Sequence, residues 1–272
     1  VITARTRVVA LIGSPVQHSL SPVLHNTAFA QLGLDWVYTA FDVAPGQAAA
    51  ALDAMRVLGL AGLSVTMPHK EAVASAVDVL DPSAAMLQSV NTVVALPDGS
   101  LIGHSTDGDG LIASLAAASS AVAGRQVCVL GGGGAARAIC QALAHAGAAR
   151  VAVINRTASA AEAAAALAVA NGVAIGMVGT VADIAAADIV INATSVGMGT
   201  ADLPCDPALL RVGQVVADIV YHPRDTALLR AARAAGATTV DGLGMLVHQA
   251  ALQQQLWHGA LPDVAAMTAA VA

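Results

Sequence analysis

Residues 126 to 147 read QVCVLGGGGAARAICQALAHAG, and this stretch decides the architecture. Val127 to Leu130 is a short apolar run, Gly131 to Gly134 make a tight turn, and an alanine-rich helical pattern continues to Gly147. Gly131, Gly133 and Ala136 keep a G-x-G-x-x-A spacing. In that pattern the first glycine makes the turn, the second lets backbone approach a pyrophosphate, and the small third residue lets helix and strand pack closely. The helix start presents N–H groups that have no partner within the helix and that favour phosphate. A glycine-rich turn without a ligand is the plainer alternative. The next apolar run, Arg150 to Ile154, favours the dinucleotide reading, because it falls where the second strand of a βαβ unit belongs.

Working outward, this nucleotide unit starts near the middle of a 272-residue chain. Cores tend to divide near that size, so a first domain of about 100 residues is expected before it. Apolar residues make up 57% of the chain, yet only two Phe, two Tyr and two Trp are present, so the cores depend on close packing of small side chains. The formal charge of −6 without a basic cluster argues against a nucleic-acid partner and for a small metabolite. Cys128, Cys140 and Cys205 are scattered and form no C-x-x-C pair. They suggest neither a disulfide framework nor a zinc site, but buried thiols in a reducing, cytoplasmic compartment. The opening VITARTRVVALIG lacks a secretory cleavage pattern. Residues 163 to 182 carry no charge but contain Asn171, Gly172, Gly176, Gly179 and Thr180; they read as helix, turn and strand rather than a membrane span.

Before residue 126 the pattern alternates strand and helix. Arg7 to Ile12 reads as a strand closed by Gly13-Ser14-Pro15, and Ser21 is placed to cap a helix whose first turn holds Pro22. Trp36 to Phe41 reads as a strand, Gln47 to Leu58 as a helix and Leu60 to Val65 as a strand, which predicts a largely parallel α/β sheet. Polar residues beyond the carboxyl ends of such strands lie where open α/β sheets bind ligands, and the third strand empties into Thr66-Met67-Pro68-His69-Lys70. Lys70 is either a solvated lysine or a functional one. A helix start is an unfavourable place for a cation, which points weakly to purpose. Helical pieces broken at Asp81-Pro82 are expected over 78 to 86, then a β-hairpin with its turn at Pro97-Asp98-Gly99, giving a mixed sheet. Asp107 or Asp109 caps the helix that follows, and for Asp107 a ligand role is equally open.

These polar residues together closely resemble the shikimate dehydrogenase family. The matching pieces are Ser19-Leu20-Ser21-Pro22 with His25-Asn26, Val65 to Lys70, Val90-Asn91-Thr92, Thr106 to Gly110, the Gly131 to Ala138 loop, Asn155-Arg156-Thr157, Asn192 to Met198, and Asp241 to Ala251. They run through essentially the whole chain in family order. The resemblance implies two α/β domains: a substrate-binding and catalytic domain of residues 1–107 plus 242–272, and a Rossmann-type dinucleotide-binding domain of residues 108–241. The C-terminal helices would return to the first domain.

By that resemblance Lys70 and Asp107 are the catalytic pair, and Ser19, Ser21, Thr66, Asn91 and Gln249 hold a cyclohexene carboxylate. The cofactor residues implied are Gly131, Gly132, Gly133, Gly134, Ala135, Asn155, Arg156, Thr157, Thr194, Ser195, Val196, Met198, Val220, Tyr221, Gly242 and Met245. On physical grounds alone Tyr221 and Met245 read equally as packing residues, and Gln249 beside Gln253, Gln254 and Gln255 reads as helix surface. Family members reduce 3-dehydroshikimate to shikimate with NADPH, reversibly, and some act on quinate or use NAD. The strand ending at Ile154 carries no Asp or Glu for an NAD ribose, whereas Arg156 offers a guanidinium to the 2′-phosphate of NADP. A second arginine that often follows in NADP users is replaced here by Ala160. No metal is implied.

The chain departs from the family at Ser64 and Ser105, where Asn is usual, and at Gln88-Ser89, where Gly-Ala is usual. A paralogue acting on quinate or an aminoshikimate is therefore the first alternative. A non-catalytic nucleotide-sensing protein on the same fold is the second, and retention of Lys70 and Asp107 favours the enzyme. Monomer and homodimer both fit the sequence.

Overall fold

A computed structural model describes residues 1–169 and 175–272. The chain forms two compact units, one of Val1–Thr106 with Gln249–Ala272 and one of Asp107–His248. The second division falls inside a helix, seven residues beyond Gly242, and Asp107 opens the second unit.

The first unit carries β1 (Arg7–Gly13), α1 (Ser21–Gln31), β2 (Trp36–Asp42), α2 (Ala48–Leu58), β3 (Gly62–Val65), α3 (Lys70–Ala74), β4 (Val79–Leu80), α4 (Pro82–Leu87), β5 (Thr92–Ala95) and β6 (Leu101–His104). These strands form one mixed sheet ordered β2-β1-β3-β5-β6-β4. β1 runs parallel to β2 and β3, while β5 is antiparallel to β3 and β6. Side chains alternate across β1 with period two. Ala10 and Ile12 enter a core with Leu52, Met55, Leu63 and Val73, and Val9 and Leu11 enter one with Phe29, Tyr38 and Trp257. Both faces of β1 are thus covered, which explains its continuous apolar run. Gly62 has to be glycine because a Cβ there would collide with the indole of Trp257. The helix expected over 78 to 86 is in part a strand: Val79 and Leu80 pair with β6, and Asp81 then caps α4 by accepting the Ser83 N–H at 2.9 Å.

The second unit carries α5 (Asp107–Ala117), β7 (Gln126–Leu130), α6 (Gly134–His145), β8 (Arg150–Ile154), α7 (Ala158–Val169), β9 (Ile175–Val178), α8 (Val181–Ala186), β10 (Ile189–Asn192), β11 (Val215–Asp218), α9 (Ala227–Ala234) and β12 (Thr238–Val240). The strand expected at Val173 to Met177 appears as β9, and its first two residues lie outside the described part. All strand pairs are parallel, in the order β12-β11-β10-β7-β8-β9. After β7 the chain builds outward through β8 and β9, then returns to β10 on the other side of β7. The β7–β10 junction is the switch point where such sheets bind ligands at their carboxyl ends. Small residues set the layer spacing: Ala161, Ala164, Ala165 and Ala168 are buried on α7, and a Cβ at Gly108 would strike the Ala138 carbonyl of α6. Cys128 and Cys140 are buried thiols whose pKa desolvation pushes up to about 12.

α10 (Gly242–His258) begins in the second unit and ends in the first, followed by α11 (Val264–Ala269) in the first. Among the described residues no helix is long and apolar enough to cross a membrane.

Candidate active site

In the first unit the expected substrate residues collect where β1 and β3 end and β5 begins. The Thr66 N–H donates to the Ile12 carbonyl at 2.9 Å and the Ser14 N–H to the Met67 carbonyl at 2.9 Å, lacing the exits of β1 and β3 together. Gly13 leaves room for this crossing, since a Cβ there would meet the Thr66 methyl. His69, buried, bonds the Val43 carbonyl through Nε2 at 2.8 Å and fixes the turn that delivers Lys70 to the start of α3. The Lys70 carbonyl accepts the Val90 N–H at 3.0 Å, so the backbone of Lys70 is tied to the residue before Asn91.

Ser21 differs from expectation. Leu20 is already in the right-handed helical region and occupies the cap position, so Ser21 is the first helical residue and does not cap. Its own N–H donates to Ser19 Oγ at 3.2 Å, leaving the Ser21 hydroxyl, buried at 8% exposure, to serve something other than its own helix.

Asn91 and Thr106 hold each other. Asn91 Nδ2 donates to Thr106 Oγ1 at 2.9 Å, and Asn91 Oδ1 accepts the Thr106 N–H at 2.9 Å and the Thr92 hydroxyl at 2.7 Å. The Thr106 hydroxyl reaches the Gln249 carbonyl at 3.2 Å, which brings the backbone of Gln249 to the same place. Gln253 and Gln254, read from sequence as helix surface, are buried. Gln253 Nε2 donates to the Asn91 carbonyl at 3.2 Å, and its Oε1 accepts the Ser64 hydroxyl at 2.7 Å. The first unit thus joins Ser64, Asn91, Thr106, Gln249 and Gln253 in one polar rim; only the glutamine run at 253–255 hinted at the last of these.

In the second unit Asp107 and Asp109 lie inside the first turn of α5 rather than outside it as caps. The glycine loop follows β7. Gly131, with φ of 121°, sits where a Cβ would be 2.9 Å from the Ala193 carbonyl oxygen, and a Cβ at Gly132 would be 2.9 Å from the Ala160 backbone. Gly133 and Gly134 face open space, and Gly133 caps α6 without any side-chain bond. The first two glycines therefore pack the loop, and the next two clear the approach to the helix N-terminus and Ala135. Asn155, Arg156 and Thr157 leave the end of β8; Arg156 is exposed, and Asn155 Nδ2 donates to the Thr157 carbonyl at 3.0 Å.

The loops after β10 and β11 are fixed by a buried network. Asn192 Nδ2 donates to Asp218 Oδ1 at 2.9 Å, Asp218 Oδ2 accepts the Thr226 hydroxyl at 2.7 Å, and Asp218 Oδ1 accepts the Val220 N–H at 3.1 Å. Burial nevertheless raises the Asp218 carboxyl above its ordinary value, against the lowering effect of these bonds. Asn192 Oδ1 accepts the hydroxyl of Thr194 at 2.7 Å, and Thr194 Oγ1 accepts the Val196 N–H at 3.1 Å. Ser195 and Met198 remain exposed, Tyr221 half-buried, and Met245 belongs to the core beside Val240. Gly242 packs against the Ile219 carbonyl, where a Cβ would not fit. Sequence reading missed Asp218, which is the hub of these loops.

The loop, the α6 N-terminus and Arg156 are groups that can take the anionic parts of a dinucleotide, a pyrophosphate at the glycines and helix start and a further phosphate at the guanidinium. Among the described residues no group of three or more His, Cys, Asp or Glu is placed to hold a metal ion.

Comparison with known proteins accords with this geometry. The chain is 46% identical over 274 residues to the Moorella thermoacetica protein named shikimate dehydrogenase (NADP(+)), covering 98% of this chain and 92% of that one. The chain belongs to the shikimate dehydrogenase family. As a member it is an enzyme, a nicotinamide-dependent oxidoreductase. Family models match residues 11–93 as the shikimate dehydrogenase substrate binding domain, 114–199 as shikimate / quinate 5-dehydrogenase and 242–272 as the shikimate 5′-dehydrogenase C-terminal domain. A shikimate dehydrogenase solved in complex with NADP+ superposes with a TM-score of 0.93 at 37% identity, covering 99% of this chain and 96% of that chain. The ligand-free 5-ketofructose reductase of a Gluconobacter species superposes with a TM-score of 0.90 at 35% identity, with 98% of each chain covered. The family's fold therefore spans more than one ketone substrate.

Proposed function

We propose that this family member catalyses the reversible NADPH-dependent reduction of 3-dehydroshikimate to shikimate. The observation that carries the reading is 46% identity over 98% of the chain to a protein named shikimate dehydrogenase (NADP(+)), combined with the presence of Lys70, Asp107 and the bonded rim around Asn91. When bound, the nicotinamide supplies the hydride. Lys70 stabilises the oxygen that becomes an alkoxide and gives it a proton, as an ammonium can. Asp107 accepts a hydrogen bond from a substrate hydroxyl. Ser19 and Ser21 hold the carboxylate, and Thr66, Asn91 and Gln249 the ring hydroxyls. Arg156, with no acidic residue beside it at the end of β8, favours the 2′-phosphate of NADP over the free ribose of NAD.

A second reading, another polyhydroxylated ring or chain ketone, is favoured by Ser64. Its hydroxyl is bonded to Gln253, so the rim differs there from the amide usual in the family. A matrix of shikimate, quinate, aminoshikimate and 5-ketofructose against NADP(H) and NAD(H), followed by nicotinamide absorbance, tests both. Highest kcat/KM with shikimate and NADP supports the first reading; equal or higher values on another substrate reject it.

A further inference from the structure

His25 and Tyr38 form a buried polar pair that the substrate and cofactor assignments leave unused. Their rings stack at 4.2 Å between centroids with a 12° tilt, and Trp257 stands on the imidazole at 5.2 Å. His25 Nε2 and the Tyr38 hydroxyl are fully buried and have no hydrogen-bond partner in good geometry among the described residues. Buried polar atoms are nearly always satisfied, so two together call for an occupant.

The direction of every bond around them is fixed by backbone groups whose roles cannot change. The His25 carbonyl can only accept, so the Gln254 atom facing it at 3.2 Å is the amide nitrogen. That nitrogen also faces His25 Nδ1 at 3.1 Å, so Nδ1 accepts and the ring proton sits on Nε2. The other end agrees: Ala260 N–H donates to His258 Nδ1 at 3.3 Å, and His258 Nε2–H donates to Gln254 Oε1 at 3.0 Å. Burial lowers the His25 pKa to about 3, which keeps the ring neutral. In the same way the Asn91 carbonyl fixes Gln253 Nε2 as donor, so Gln253 Oε1 takes the only proton of the Ser64 hydroxyl. Ser64 can then offer only lone pairs elsewhere. Ser64 and Ser21 lie beside the Tyr38 hydroxyl, and Gln253 beside His25, near enough to influence their titration but without hydrogen-bond geometry.

Two donors thus converge on one polar cluster, enclosed from solvent, which suits an oxygen that accepts twice and gives twice. We infer that His25 Nε2–H and the Tyr38 hydroxyl hold one buried water whose own protons turn to Ser64 and Ser21, leaving Ser21 to donate its proton to a carboxylate oxygen of the substrate. His25 and Tyr38 are then positioning residues, and the directed network selects an acceptor at that end of the substrate. The inference rests on the shikimate reading for the identity of the carboxylate, and on the bond directions for everything else.

The test uses the whole enzyme and Tyr38→Phe, which removes one hydroxyl and keeps the ring. The expected result is a KM for shikimate raised about tenfold, because the Ser21 bond to the carboxylate loses its fixed direction. Expected alongside it are kcat within about twofold, an unchanged KM for NADP, and a smaller change with the methyl ester of shikimate. An unchanged KM for shikimate overturns the positioning role. Independently, ¹⁵N shifts of the His25 ring are expected to show a proton on Nε2 and none on Nδ1, and high-resolution density an oxygen bonded to both His25 and Tyr38. A proton on Nδ1, or no such oxygen, overturns the network. A wild-type enzyme inert toward shikimate rejects the function proposed above, while the ring-nitrogen and density measurements still decide the network.

Discussion

Asn91 and Thr106 are bonded in both directions, amide to hydroxyl at 2.9 Å and backbone N–H to amide oxygen at 2.9 Å, so neither side chain can turn without stranding the other. Thr106→Val keeps the shape and removes the hydroxyl. It removes the Thr106 bonds to Asn91 Nδ2 and to the Gln249 carbonyl, at a cost of about 1–3 kcal/mol. Urea unfolding should show that loss. Asn91 is then held by Thr92 and Thr106 through its Oδ1 alone and is positioned less firmly, so KM for substrate should rise more than KM for cofactor.

Glycines of the loop should separate by role. Gly132→Ala forces a Cβ to 2.9 Å from the Ala160 backbone and should lower the melting temperature. Gly133→Ala meets nothing within 4 Å and has an ordinary extended φ of −81°, so stability should stay within about 0.5 kcal/mol. Its methyl points where a pyrophosphate would lie, so KM for NADPH should rise sharply. Equal loss of stability in both variants would contradict this division.

Arg156 is exposed at the end of β8 with no carboxylate beside it in sequence. Arg156→Ala should raise KM for NADPH by roughly tenfold or more and leave KM for NADH nearly unchanged, since only NADPH carries the phosphate that the guanidinium would pair. Equal effects on both cofactors would count against that role.

Acid should destabilise the fold through its buried histidines. His25 is lowered by burial from 6.5 to about 3, and burial also lowers His104, His248 and His258. Between those values the unfolded chain binds the proton and the folded chain does not. The stabilisation is therefore complete above 6.5 and is lost as pH falls toward 3, at about 1.4 kcal/mol per pH unit for each proton. Asp218 has the opposite sign, since its raised pKa stabilises at low pH and that contribution fades as pH rises above 3.8. Its window opens at 3.8 and runs upward into that of His25, where the two oppose each other. Unfolding free energies at pH ~7 should exceed those at pH ~5, and a flat profile would contradict the assignment.

Much of this was legible in the sequence where one residue type suits one backbone shape. The four glycines after β7 announced a loop that a Cβ would block at Gly131 and Gly132, and the alternation in the first unit announced its mixed sheet. What stayed hidden depends on partners distant in the chain. Gln253 and Gln254 resemble surface residues until Ser64, Asn91 and His25, more than 150 positions away, supply their bonds. Asp218 ends an apolar strand and shows its role only through Asn192 and Thr226. Ser21 fits a capping pattern, yet Leu20 is already helical, which frees its hydroxyl. The two-residue strand at Val79 carries too little pattern to be read from so short a run.

In the function proposed above, Lys70 delivers the proton that completes ketone reduction. The direct measurement is kcat for 3-dehydroshikimate and NADPH in Lys70→Ala, with folding checked by thermal melting and cofactor binding by titration. A fall of about 10²–10⁴-fold in kcat is expected, with NADPH affinity retained. A Lys70→Ala enzyme that turns over at the wild-type rate would contradict it.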